Sequence, residues 1–269
     1  RPFFLACGIF RPHLPWYAPK RFFDLYPLKK IRLPDLKMKD LNDVPVEGRA
    51  LAARRRDEFE NIKKHGKWKE GIRAYLASIS FADAQLGRLL DALEQSTHQE
   101  NTIIVFWSDH GWHLGEKNHW HKSTLWEEAT RIPFLIAAPG ITKGETTCTR
   151  PVDTLSIYPT LLELCGLKSA VHLDGTSIVP LLKNPAAPWT IPAITEFQRG
   201  QCAVRSERYR YIRYGDGTEE LYDHHKDPNE WTNLAGDASH RPVVEQLAPW
   251  IPQQFAPNAP SKNAYRFDH

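Results

Sequence analysis

The most informative stretch of the 269-residue chain is Ser108-Asp-His-Gly-Trp-His-Leu-Gly-Glu-Lys-Asn-His-Trp-His-Lys122. Asp109 offers a hard anionic oxygen of the kind that Ca²⁺ or Mg²⁺ takes. His110 offers an imidazole nitrogen, which suits softer metals or can hydrogen-bond a bound anion. Gly111 permits a backbone turn that a side chain would obstruct. An Asp directly after a strand can also serve only as a helix N-cap, and isolated loop histidines are often packed or solvated. Histidines 110, 113, 119 and 121 raise zinc as an alternative, but their spacing matches no standard zinc signature.

The elements that must position these groups are legible from the apolar pattern. Ile72, Leu76, Ile79, Leu86, Leu90 and Leu93 recur at helical spacing, predicting an amphipathic helix of several turns from about Trp68. Thr102-Ile-Ile-Val-Phe-Trp107 is a continuous apolar run, as expected of a buried parallel strand. Ligand sites of open α/β sheets gather at the carboxyl ends of strands, where Asp109 and His110 fall. The helix–strand succession suggests half of a βαβ unit. A second strand is expected at 132–137 and a helix at 154–165. Before them, 3–9 reads as an interior strand, and 17–68 as a long surface excursion with some helix near 50–64. After the linker Asn184-Pro-Ala-Ala-Pro-Trp189, short strands at 193–197, 202–205, 209–214 and 220–222 predict an antiparallel sheet. Gly215-Asp216-Gly217 turns one hairpin, and a helix near 243–255 follows.

Composition narrows the class further. Hydrophobic residues make up 41% and charged residues 25%, an ordinary globular mixture, and a formal charge of +3 gives nucleic-acid binding no electrostatic support. No apolar stretch is long enough to span a membrane. Nine tryptophans could line a sugar site, although burial is their more frequent fate. Cys7, Cys148, Cys165 and Cys202 form no Cys-x-x-Cys pair; a Cys148–Cys165 disulfide stays open.

Five ordered motifs carry a resemblance. Ser108–Glu116 with Lys122 and Glu127-Glu-Ala-Thr-Arg-Ile-Pro-Phe-Leu135, then 152–166, then Leu173–Ser177, then 205–212 with 220–223 and Asn233-Leu234, and Pro12-His-Leu-Pro15 near the start, resemble the sulfatase family of the alkaline-phosphatase superfamily, in particular its iduronate-2-sulfatase-like members. The resemblance implies an alkaline-phosphatase-like three-layer α/β sandwich with a mostly parallel sheet, present in part, plus a small C-terminal antiparallel sheet with a helix. It divides the chain into a catalytic part at 1–185 and a subdomain at 186–269. It implies that Asp109 and His110 help hold a divalent cation, usually Ca²⁺. His13 would contact sulfate and protonate the leaving group, and Lys122 would bind sulfate oxygens. Sulfated carbohydrate is the implied substrate, and periplasm, lysosome or the exterior the implied location. The alternatives are a phosphatase or phosphonate monoester hydrolase of the same superfamily, or a non-catalytic carbohydrate-binding relative.

The family's nucleophile is a formylglycine made from the Cys of a Cys-x-(Pro/Ala)-x-Arg motif. Cys7-Gly-Ile-Phe-Arg11 has the spacing but places Ile at the Pro/Ala position, and no other cysteine fits. The family's N-terminal acidic metal ligands are also without a match. The expectation is a chain that is inactive alone and completed by the N-terminal half of the same protein.

Overall fold

The computed structural model describes residues 1–54, 56–169 and 171–257. Helices α1 (Lys20–Asp24), α2 (Val46–Ala53) and α3 (Arg56–Lys64) precede the 27-residue α4 (Trp68–Glu94), which realises the predicted amphipathic period. The site region follows as strand β1 (Ile104–Trp107), hairpin strands β2 (His113–Leu114) and β3 (Trp120–His121), helix α5 (Glu127–Thr130) and strand β4 (Phe134–Ala137). Helices α6 (Ile157–Leu164) and α7 (Val179–Lys183) lead to a four-stranded meander, β5 (Ala193–Gln198), β6 (Gln201–Arg205), β7 (Tyr209–Arg213) and β8 (Glu219–Asp223), and then to α8 (Arg241–Leu247).

Three expectations need correction. Residues 3–9 form no strand; Phe3, Phe4 and Leu5 are exposed, because a strand requires a neighbour for its backbone groups and no described strand lies beside them. The terminal helix is shorter than 243–255, ending at Leu247 with one 3₁₀ turn beyond. The larger sheet is represented among the described residues by β1 and β4, and this pair is antiparallel, with Val105 opposite Ile136. The chain between them turns back through the site loop and α5 rather than crossing over. Both faces of the pair are partly open, with Leu135 exposed on one and Trp107 on the other.

The C-terminal sheet is packed on both faces. Side chains alternate across its strands, as the two-residue period requires. Cys202, Val204, Tyr211 and Leu221 point to one face and pack on Val244, Leu247 and Ile251. Ala203, Ile212, Tyr214 and Tyr222 form the other face and pack on Leu41, Val44, Leu51, Leu125 and Trp126. The sheet is therefore a middle layer, apolar on both faces at 202–204, 211–212 and 221–222. The predicted turn is present: Tyr214 N–H donates to Thr218 O at 3.0 Å, and Gly217 takes φ +85°.

Candidate active site

β1 delivers Asp109 and His110 to its carboxyl end, as the strand rule predicts. The turn is pinned on α5: Gly111 N–H donates to Ala129 O at 2.8 Å, and Ser108 Oγ donates to His110 O at 2.9 Å. A Cβ on residue 111 would lie 2.1 Å from Glu128 O, so this approach requires glycine. The chain then runs through the β2–β3 hairpin and on to Ser123, a stretch with strained backbone. Gly115, Lys117, Asn118, His121 and Ser123 all have positive φ. Four of these are not glycine, a concentration typical of segments whose geometry is fixed by function.

The structure brings together all four residues that the sequence singled out. Lys122 Nζ lies 2.7 Å from His110 Nε2 and 3.1 Å from His13 Nε2. Asp109 Oδ2 is 3.7 Å from His110 Nε2, with the Asp109 side chain 83% exposed. A lysine ammonium has donors and no acceptor, so both Nε2 atoms must present lone pairs to it. Their Nδ1 atoms then carry the protons, and each donates to a backbone carbonyl at 2.8 Å, His13 to Leu14 and His110 to Gly111. Both imidazoles are thus fixed in one tautomer. Burial pushes His110 below its ordinary value, and Lys122 and His13 push the same way, against the Gly111 carbonyl and Asp109. His110 stays neutral at neutral pH, as a ligand must.

Asp109 and His110 fit one side of a cation shell: a hard, open oxygen beside an imidazole lone pair. Two donors fall short of the six to eight that Ca²⁺ takes, and among the described residues no third His, Cys, Asp or Glu joins them. The described residues do bring Glu127, His224 and Glu230 within metal-holding distance. Those carboxylates are already neutralised. Arg210 bonds both, donating to Glu230 Oε1 at 2.5 Å, and Arg205 pairs with Glu127 at 3.4 Å.

The remaining histidines of the loop have other partners. His113 is fully buried, 2.7 Å from Thr124 Oγ1, and burial pushes it well below its ordinary value. His119 sits between the carbonyls of Ala52 and Lys122. His121 pairs with Glu58 at 2.7 Å. Lys117, five positions before Lys122, is buried on Asp40 and on Glu230 O. The four cysteines are unpaired. What sequence reasoning missed is the aromatic wall. Trp112 touches the His13, Trp16, Tyr75, His110 and His121 rings. Its position inside the Asp109–Lys122 stretch was the available signal.

Comparison with known proteins decides the family. Residues 1–167 match the family described as Sulfatase, and residues 115–255 match N-sulphoglucosamine sulphohydrolase, C-terminal. The chain belongs to the sulfatase family. A sulfatase of Formosa agariphila is 45% identical over 257 residues, 95% of this sulfatase chain and 50% of that protein. Human iduronate 2-sulfatase is 34% identical over 240 residues, 82% of the chain and 43% of that protein. The chain spans about half the length of the curated relatives it matches. The solved phosphonate monoester hydrolase of Silicibacter pomeroyi superposes with TM-score 0.74 at 24% identity, covering 89% of this chain and 53% of that one. The sulfatase chain has the α/β fold of the alkaline-phosphatase-like proteins. Among its described residues no helix is long and apolar enough to cross a membrane.

Proposed function

We propose that the full gene product hydrolyses sulfate esters, with a sulfated carbohydrate as substrate, and that His13, His110, Lys122 and Asp109 are this chain's share of the active site. The observation that carries the reading is the convergence of Lys122 on both His13 and His110 at the tip of β1. Sulfuryl transfer leaves negative charge on the non-bridging oxygens and builds it on the departing oxygen, so fixed cationic donors lower the barrier. Lys122 supplies such a donor. An anion entering beside Lys122 draws its N–H groups off the imidazoles and onto sulfate oxygens.

His13 is the proton donor to the departing oxygen, with a condition set by its tautomer. Its Nε2 carries a lone pair at rest, so it must take up a proton before it can give one. Solvent supplies that proton, since Lys122 must keep its own charge to hold the sulfate oxygens. Asp109 and His110 would hold one side of a divalent cation, which when bound polarises the sulfuryl group. The formylglycine nucleophile and the remaining cation ligands belong to the N-terminal half of the same protein, which completes the site. The carbohydrate class is supported by the human relative, named for a sulfate on iduronate. A periplasmic, lysosomal or secreted location belongs to the same reading.

A second reading, hydrolysis of phosphonate or phosphate monoesters, draws on the phosphonate monoester hydrolase neighbour. Rates of the full gene product on an aryl sulfate, an aryl phosphate and an aryl phosphonate ester separate the two. The sulfate ester should give the highest kcat/KM; a phosphonate ester turned over faster would replace the first reading with the second.

A further inference from the structure

Trp112 takes no part in the chemistry just described, yet the site leans on it. Its side chain is 7% exposed. The indole meets the His13 ring edge-on, at 5.5 Å and 84°, and lies tilted against His110 at 6.0 Å. It is itself held from three other sides. Tyr75 stacks at 6.1 Å and 26°, Trp16 lies at 5.9 Å, and His121 lies at 4.5 Å. Trp16 in turn donates its indole N–H to Pro12 O at 2.8 Å, which ties the His13 loop to the same wall.

We propose that Trp112 is a positioning residue: its ring fixes the mutual orientation of the His13 and His110 imidazoles so that both Nε2 atoms face Lys122. The two histidines come from segments far apart in the chain. The hydrogen bond from each Nδ1 to the next carbonyl selects a tautomer, but a bond that local leaves the two rings unrelated to each other. Trp112 touches both rings, and it comes two residues after His110. Gly111 between them lets the backbone run against Glu128 O, which sets where residue 112 emerges. The indole Nε1 is buried with no hydrogen-bond partner among the described residues. The ring therefore acts as a wall and its N–H contributes nothing, so phenylalanine should do most of the work of tryptophan.

The activity half of the test rests on the sulfatase reading; the spectroscopic half does not. The full gene product is prepared with ¹⁵N-labelled histidine as wild type, Trp112→Phe and Trp112→Ala, with p-nitrophenyl sulfate as the probe. Trp112→Ala should lose about 10²-fold in kcat with KM little changed, the cost of displacing reacting groups by about an ångström. Trp112→Phe should recover most of that loss. Long-range ¹H–¹⁵N spectra should show the Nδ1–H tautomer of His13 and His110 in all three proteins, with both Nε2 ¹⁵N resonances at hydrogen-bonded positions in wild type and Trp112→Phe and at least one moved to the free position in Trp112→Ala. A Trp112→Ala protein with wild-type kcat overturns the proposal, and so does a Trp112→Phe protein as impaired as Trp112→Ala. If wild type turns over no sulfate ester, the functional reading fails; unchanged Nε2 resonances in Trp112→Ala then overturn the positioning claim by themselves. Should Trp112→Ala not fold, Trp112→Leu keeps apolar volume without a ring and takes its place.

Discussion

Two clusters of charged side chains lie a few residues apart along the same loop, and they have opposite characters. Around Lys122 the groups are partly open: Asp109 is exposed, and among the described residues the ammonium is held only by the lone pairs of two imidazoles. Around Lys117 the groups are paired, and Lys117, Asp40, Arg210 and Glu230 are buried. Lys117 reaches Asp40 and Glu230 O and lies over the Trp126 and Tyr222 rings; Glu230 takes Arg210 and His224, and Arg210 also takes Glu127. Glu220 completes this lattice, accepting from Trp126, Tyr214 and Tyr222. A cation bound to neutral acceptors can be transferred to an incoming anion. A cation already bound to buried carboxylates cannot, and serves as a tie between segments. The lattice joins α5 to the C-terminal sheet, and α5 pins Gly111.

The comparison can be broken most sharply in the lattice. Arg210→Met removes the guanidinium shared by Glu127 and Glu230, leaving Glu230 to His224 and Glu127 to Arg205, and should cost ~3–5 kcal/mol, read as a lowered denaturation midpoint at unchanged m-value. Next is the link between the two clusters. Gly111→Ala drives a Cβ against Glu128 O, at 2.1 Å, and should move the Asp109–His110 turn off α5. Its kcat should fall by about 10²-fold with a smaller change in stability; an unaltered kcat would show that the pin does not matter.

Smaller effects sharpen the picture through pH. Burial raises Glu128, and the nearby Glu230 and Glu116 charges raise it further. A carboxyl raised in the fold contributes its stability below the unfolded value of 4.5 and loses it as pH rises toward the folded value. Glu128→Gln should therefore stabilise the protein at pH 8 and gain nothing near pH 4, as thermal melts at the two values will show. His113 works in the other direction. Its imidazole is held well below the ordinary 6.5 by burial, so its contribution is present above 6.5 and is lost as pH falls below it. Replacing His113 with Gln should flatten that acid limb; an unchanged limb would place the sensitive group elsewhere.

Part of this was readable from residues alone. The apolar run 102–107 placed Asp109 and His110 at a strand end without any knowledge of partners, because a strand declares itself locally. The meander 193–223 and its Gly215-Asp216-Gly217 turn were legible for the same reason. The strand expected at 3–9 failed because pairing is not a local property. Lys117 and Lys122 are indistinguishable by type or neighbourhood, and only the family motif separated them. The meeting of His13 with Lys122 also required the motif, since no local rule links positions so far apart. The Glu127–Arg210–Glu230 lattice could not be read at all: its members come from α5, β7 and the loop after β8, which meet only when the sheet packs.

The most direct measurement pairs sulfate-ester turnover with thermal unfolding for Lys122→Met and Lys117→Met in the full gene product. The account predicts a crossed result. Lys122→Met should lose roughly 10²–10³-fold in kcat at an unchanged Tm, while Lys117→Met should lose several degrees of Tm or fail to fold. Two variants damaged in the same property, or a Lys122→Met protein that still turns over at the wild-type rate, would contradict it.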